Sequence, residues 1–345
     1  MSGKRIFISD IHLGDDARYR DPEPNRRARF FPSKHRDRLL NFLDKQIHAG
    51  KNNVKDLVLL GDVFDTWVCP FDDIPPTYDS IFASQENKTI LDSLRQIAAS
   101  DINLYYVHGN HDYDLTAAQL QAVIPGIMTI PEDGYLDAEL GLYAEHGHRF
   151  TLFNQSYPSV ANGLPIGYPI TRLSEHLGGY VRGFKDLIGY LDDAFDLVTG
   201  RDNIFEAIIE GLAERADAQQ IIMSGQETIS VDQVKSLYKN LAFHDQPFKV
   251  GRMLASEGDL EKFGDRLSEQ HGHKVVVFGH THNAKIDKDS LFVKDRVYVN
   301  SGSWCGKEAH CVVVEPGDNG KTAASLLSID AAGEIVEDES RKVQV

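Results

Sequence analysis

Five times along this chain a short apolar run ends in residues able to bind a metal ion. Asp10-Ile11-His12 follows residues 6–9, and Gly61-Asp62-Val63-Phe64-Asp65 follows residues 57–60. Gly109-Asn110-His111-Asp112 follows 105–107, His146-Gly147-His148 follows 142–145, and Gly279-His280-Thr281-His282 follows 275–278. Short apolar runs bounded by turn residues read as buried strands. Ligands at the C-terminal ends of strands gather along one edge of a sheet, which is where open α/β folds bind. Glycines at 61, 109, 147 and 279 let the backbone turn tightly beside that edge. Any fold for this chain has to bring these strand ends together.

The stretches between the motifs supply the rest of the architecture. Strands are expected at 5–9, 56–60 and 102–107, with helices at 34–49, 80–100 and 116–123. In 34–49 the apolar residues Leu39, Leu40, Phe42, Leu43 and Ile47 recur at helical spacing. This βαβαβ rhythm predicts a sheet covered by helices. Further short strands at 135–136, 141–145, 274–278, 296–299, 311–314 and 323–329 make the second half β-rich. Between them, residues 151–272 change period. Their start holds Leu164, Pro165, Ile166, Tyr168, Pro169 and Ile170, and helices are expected at 170–197, 203–216, 231–242 and 249–270. The resulting expectation is an α/β (α+β) core from 1–150 plus 273–337, a helical cap insertion at 151–272, and a polar tail at 338–345. Both ends of the insertion adjoin ligand strands, so it reads as a cap over the cleft that sets substrate choice; a remote decoration or dimer arm is the alternative, because amphipathic faces pack against any neighbour.

The net charge of −16 weighs against nucleic acid as a partner. One basic region stands out: Arg18, Arg20, Arg26, Arg27, Arg29, Lys34, Arg36 and Arg38 fall close together. It reads either as a locally positive substrate site or as a solvated helix face. No stretch approaches the roughly 20 apolar residues of a membrane-spanning helix, although a peripheral membrane contact stays open. The apolar run at the N-terminus is too short for a signal peptide. Cys69, Cys305 and Cys311 lack CxxC spacing, which fits a reducing cytoplasm better than a disulfide framework.

The candidate ligands are carboxylates, imidazoles and an amide, without thiolate. That mixture suits Mn²⁺, Fe or Zn²⁺. Seven or eight such groups are too many for one ion and suit two that share a carboxylate. Two ions about 3.5–4 Å apart can activate a water and clamp attacking and leaving oxygens. Asp10 with His12, and His280 with His282, are expected to converge because side chains two apart in extended backbone share a face. Any one motif alone is as compatible with an ordinary turn; their joint occurrence at strand ends is what points to a metal centre.

Taken in order, Asp-x-His, Gly-Asp-x-x-Asp, Gly-Asn-His-Asp, His-Gly-His and Gly-His-x-His resemble the calcineurin-like metallophosphoesterases, over residues 4–150 and 273–315. The resemblance implies a β-sandwich of two mixed sheets flanked by helices. It implies a first metal on Asp10, His12, Asp62 and His282, and a second on Asp62, Asn110, His146 and His280. It also implies a catalytic His111 oriented by Asp65; an Asx-turn role is the plainer reading of that aspartate. His148 and Asp112 are expected in supporting places. Ser9-Asp10-Ile11-His12-Leu13, the run from Leu60 to Trp67, and His108-Gly109-Asn110 are similar to the UDP-2,3-diacylglucosamine hydrolases. In that subfamily an arginine is expected where this chain has His111, and the insertion is shorter. The expected reaction is hydrolysis of a phosphodiester or pyrophosphate bond, in a small or lipid-linked substrate. A nuclease, a protein phosphatase and a metal-free binding module are the rivals. Oligomeric state is not legible.

Overall fold

The computed structural model describes residues 3–15, 33–48, 53–131, 134–157, 160, 163–177, 204–239, 259–289, 294–336 and 341–345. The chain lays down strands β1 (Lys4–Ile8), β2 (Val54–Leu60), β3 (Asn103–Val107), β4 (Met128–Thr129), β5 (Tyr135–Asp137) and β6 (Leu142–Ala144). A hairpin, β7 (Gln220–Ile222) and β8 (Thr228–Ser230), sits apart from the sheets that follow. Then come β9 (Val275–Phe278), β10 (Lys285–Lys288), β11 (Val297–Asn300), β12 (Ala309–Pro316), β13 (Thr322–Ile329), β14 (Ile335–Val336) and β15 (Lys342–Gln344).

Two mixed sheets result. In the first, the order is β14-β13-β12-β1-β2-β3-β4, with β15 also on β13. Strands β1 to β4 run parallel, and β12 is antiparallel to β1. In the second, the order is β10-β11-β9-β6-β5, and β11, β9 and β6 run parallel. Alternation along the strands shows how the sheets face. Phe7, Val58 and Leu60 point into a cluster with Leu142, Ala144, Val275, Val277 and Val299, the layer between the sheets. Their neighbours Ile6, Ile8, Leu57 and Leu59 point the other way, onto Leu39, Phe42, Leu91, Leu94 and Ile97 of the helices Ser33–Phe42 and Lys88–Ala98. Val276, Phe278 and Tyr298 cover the outer face of the second sheet with Leu260. The fold is thus a mixed α/β sandwich flanked by helices, as expected.

A buried ion network ties the sheets at the end away from the ligand motifs. Arg5 on β1 bonds Asp137 of β5, and its Nε lies 3.5 Å from Asp56 of β2. Asp56 also accepts from Tyr135 at 2.7 Å and from Asn103 at 2.7 Å.

Several sequence expectations change. The helix expected over 80–100 is two, Tyr78–Ala83 and Lys88–Ala98, because the first closes on a C-cap in extended conformation at Ser84. The helix expected over 34–49 runs only to Phe42 and relaxes into a π-turn at Leu43–His48. The tail contributes β15, paired to Ala323–Ser325, so its last residues extend the first sheet. Arg36 and Arg38 are buried rather than solvated: Arg36 pairs with Glu86 at 2.5 Å, and Arg38 donates to the Lys307 carbonyl at 3.1 Å. The other named arginines of that basic region lie outside the described residues, as do 178–203 and 240–258 of the insertion. Within the described part of the insertion, Gly167–His176 and Ile204–Arg215 pack in an apolar cluster with Tyr157, Val234 and Tyr238. Trp67 and Phe71, from the loop after β2, belong to that same cluster.

Candidate metal centre

Six parallel strands end at one place. Past β1 come Ser9 and Asp10, past β2 Gly61 and Asp62, and past β3 His108 to Asn110. From the second sheet, β6 leads to His146, β9 to His280, and β11 to Ser301. The turns interlock through the backbone: the amides of Asp10 and His12 donate to the carbonyls of Gly61 and Asp62 at 3.1 and 2.9 Å. The tightest approach needs a glycine, since a Cβ on Gly109 would lie 2.1 Å from Asp62 Oδ1.

The turns are strained in a shared way. Asp10 (φ 55°), His12 (55°), Asp62 (51°), His280 (70°) and His282 (57°) all adopt left-handed backbone. Such conformations cost about 1–3 kcal/mol each in a residue with a side chain, and they concentrate at functional sites. Asp10 and His12 do converge, but through these turns rather than through an extended pleat.

Among the described residues the side chains form four overlapping groups that could hold a cation: His12 with His282 and Cys305, His12 with Asp65 and His111, and two that share Asp62. Asp10, His12 and Asp62 make one of these two, and Asp62, His146 and His280 the other, with ligand atoms in each group within 4.8 Å of one another. Asp62 Oδ2 lies 3.2 Å from His146 Nε2 and 3.9 Å from His12 Nε2. His282 Nε2 lies 3.1 Å from Asp10 Oδ1 and 3.2 Å from His12 Nε2. His146 Nδ1 is 2.9 Å from the Leu60 carbonyl, which turns its Nε2 toward Asp62. Three candidate ligand atoms lack a well-directed hydrogen bond: Asn110 Oδ1, and Asp10 Oδ1 and His146 Nε2, whose neighbours His282 and Asp62 stand only at ion-pair distance. Leaving such groups unsatisfied costs about 1–3 kcal/mol each. A divalent cation would satisfy all three, so the donor set fits one.

Charge in the cluster is finely opposed. Burial alone would raise the Asp62 carboxyl, yet His146 and His111 beside it hold it well below the usual range. Burial would likewise lower His146, but Asp62 and Asp10 push it up to about 9. His280, buried and facing His146, falls to about 3.

Beside the cluster, Asp65 makes contacts with both the following turn and two imidazoles. Its Oδ1 accepts from the amides of Trp67 and Val68 at 2.8 and 2.9 Å, an Asx turn. Its Oδ2 lies 3.0 Å from His111 Nδ1 and 2.8 Å from His12 Nδ1. His111 stacks on Trp67 at 4.4 Å. Burial lowers the His111 imidazole, but Asp65 and Asp62 outweigh it and the group is raised. Asp112 is fully buried and accepts from the amides of Gly109 at 2.6 Å and Val63 at 2.8 Å, fixing both turns. His148 stands 5.5 Å, ring to ring, from His146. Trp304 is buried against Phe42, and its amide donates to the Asp10 carbonyl at 3.0 Å.

Residues 3–284 match the calcineurin-like phosphoesterase family. The chain belongs to it. Membership makes the protein a phosphoester hydrolase of a family that uses divalent metals, and the paired Asp/His groups are where this member could hold them. Among solved structures, a predicted phosphoesterase from Streptococcus pneumoniae is 10% identical, covering 100% of this chain and 98% of its own, with a TM-score of 0.34. Vps29 from Entamoeba histolytica is 11% identical, covering 99% of each chain, with a TM-score of 0.32. Phosphopantetheinyl hydrolase from Mycobacterium tuberculosis is 12% identical, covering 88% of this chain and 90% of its own, with a TM-score of 0.30. These likenesses are too distant to bear on the site. No curated protein matches this chain.

Four residues at the site escaped the sequence reading as site residues. Trp67 stacks on His111, and Cys305 Sγ lies 3.8 Å from His282 Nδ1. Thr151 and Asn154 approach His280 Nε2 at 3.2 and 3.4 Å. Only Trp67 had a signal in the sequence, as the end of the second motif's run.

Proposed function

We propose that the chain is a binuclear metal-dependent phosphoesterase hydrolysing a phosphodiester or pyrophosphate bond. One observation carries this reading: the Asp62 carboxylate belongs to two cation-competent groups, one with Asp10 and His12 and one with His146 and His280, as a bridging ligand would. Asp10, His12, Asp62 and His282 would hold one ion, and Asp62, Asn110, His146 and His280 the other. Bound there, two divalent cations supply a water of lowered pKa and neutralise phosphate charge. Mn²⁺ is the favoured metal, with Fe or Zn²⁺ compatible with the same donors.

The protein's own groups do the remaining work. Asp65 Oδ2 stands 3.0 Å from His111 Nδ1 and pairs with that side of the ring, so Nε2 is the nitrogen left to meet substrate. A raised imidazole held there suits general-acid transfer of a proton to the leaving oxygen. Trp67 backs the ring and excludes water from that face. Residues 151–272 act as the substrate-selecting segment, supported by their shared apolar cluster with Trp67. The finer substrate reading, a UDP-2,3-diacylglucosamine-type pyrophosphate, is supported by the sequence runs around Asp10, Asp62 and Asn110. No helix among the described residues is long and apolar enough to cross a membrane.

The test is a panel assayed after chelation and reloading with Mn²⁺: a chromogenic phosphodiester, nucleotide-diphosphate sugars with and without acyl chains, a phosphopeptide and single-stranded DNA. Metal-dependent cleavage of a diester or pyrophosphate, abolished in Asp62→Ala, supports the reading. Metal-independent activity overturns it.

A further inference from the structure

The first turn beyond β6 reaches back onto two of the residues assigned to the second metal position. Asn110 Nδ2 donates to Asn154 Oδ1 at 3.2 Å. An asparagine amide has a donor end and an acceptor end, and only a partner decides which end faces which way. With Nδ2 taken by Asn154, Asn110 Oδ1 is the buried atom left without a hydrogen bond. That is the end with lone pairs for a cation.

Thr151 acts on His280 in the same manner. Its hydroxyl donates to the His148 carbonyl at 2.8 Å, so toward His280 Nε2, 3.2 Å away, it can only accept. The imidazole hydrogen is thereby placed on Nε2, and Nδ1 keeps the lone pair. Asn154 Nδ2, which can only donate, stands 3.4 Å from the same nitrogen, beyond the usual hydrogen-bond range, so the ring is paired with the hydroxyl. Asn154 is itself held from behind. The Gly167 amide donates to the Phe153 carbonyl at 2.7 Å, and a Cβ on Gly167 would lie 2.5 Å from Asn154 Oδ1. Leu152 and Phe153 are buried in the insertion's apolar cluster.

We infer that Thr151 and Asn154 are positioning residues that orient His280 and Asn110 for the second metal position, so that this position is complete only when the start of the insertion is docked. The inference rests on the two-metal reading above. Partners that orient ligands in this way typically contribute about 10–100-fold in metal affinity.

The test is Mn²⁺ binding to the full-length chelated protein, by competition with a fluorescent chelator, alongside thermal melting. Wild type should bind two equivalents. Asn154→Leu and Thr151→Val should each weaken one of the two by about 10–100-fold and leave the other unchanged. Thr151→Ser, which keeps the hydroxyl, should restore the affinity lost in Thr151→Val. Asn154→Asp, which keeps an acceptor and the shape, should retain more affinity than Asn154→Leu. In the two weakened variants kcat should recover as Mn²⁺ is raised, while the concentration needed for half activity rises. If wild type binds fewer than two ions, the two-metal reading itself fails. If wild type binds two and the variants match it, the positioning role is overturned. Equal loss of both ions with a lowered melting temperature also overturns it, in favour of a purely structural role.

Discussion

Asp65→Asn removes one charge and almost no volume, yet it should disturb two histidines at once. Asp65 now serves four partners, two backbone amides on Oδ1 and the Nδ1 atoms of His12 and His111 on Oδ2. An asparagine has a single acceptor oxygen, and the amides of Trp67 and Val68 need it. Its Nδ2 must then face both imidazoles as a donor. Each ring responds by carrying its hydrogen on Nε2 instead of Nδ1. For His12 that nitrogen faces the cluster, 3.2 Å from His282 Nε2 and 3.9 Å from Asp62 Oδ2. A hydrogen there blocks the lone pair meant for a cation, at an expected cost of about 10–100-fold in affinity. His111 simultaneously loses the main charge that raises it, so it should surrender most of a general acid's contribution, about 10²–10⁴-fold. Two measurements separate these effects. A Mn²⁺ titration of activity should shift to higher concentration, and kcat at saturating Mn²⁺ should still be reduced. Unchanged metal affinity together with unchanged kcat in Asp65→Asn would refute the reasoning.

Other consequences follow from the same geometry. His111→Ala should slow turnover by about 10²–10⁴-fold while the purified protein keeps its metal by elemental analysis. Gly109→Ala should abolish metal binding and activity together, because the new methyl would sit 2.1 Å from Asp62 Oδ1 and must displace it. Loading the metal-free protein at pH 7 should release protons, since His146, at about 9, is protonated there and must lose its proton to bind. A pH indicator in weak buffer should see that release diminish as pH rises through about 9, as His146 becomes neutral beforehand, while His282, held well above the ordinary imidazole range by Cys305 and Asp10, still gives up its proton. Arg5→Met should destabilise the fold by about 3–5 kcal/mol in denaturant unfolding, because it strands the buried Asp56 and Asp137 carboxylates.

The parts of the site that were legible in the sequence share a cause. Buried parallel strands write themselves as apolar runs, and a ligand placed just past such a run must lie at the sheet edge. That logic places Asp10, Asp62, Asn110, His146 and His280 at the sheet edge from residue order alone. It gave a wrong account of how Asp10 and His12 converge, because left-handed backbone in a non-glycine residue leaves no mark in residue order. Asn154 and Thr151 were illegible for a different reason. Their contacts with Asn110 and His280 span 44 and 129 residues of chain, and neither belongs to a periodic pattern. β10 escaped because alternating charge in Lys285–Lys288 hides an edge strand, whose polar face needs no apolar run. Arg36 and Arg38 misled because a charge run gives no hint of the carboxylate or carbonyl that will bury it.

The claim on which everything else depends is that Asp62 bridges two cations. Anomalous diffraction from crystals of Mn²⁺-loaded protein tests it directly. The account predicts two peaks about 3.5–4 Å apart, one beside Asp10, His12 and His282 and the other beside Asn110, His146 and His280, with the Asp62 carboxylate touching both. A single fully occupied peak in active protein, or two peaks of which Asp62 touches only one, would contradict it.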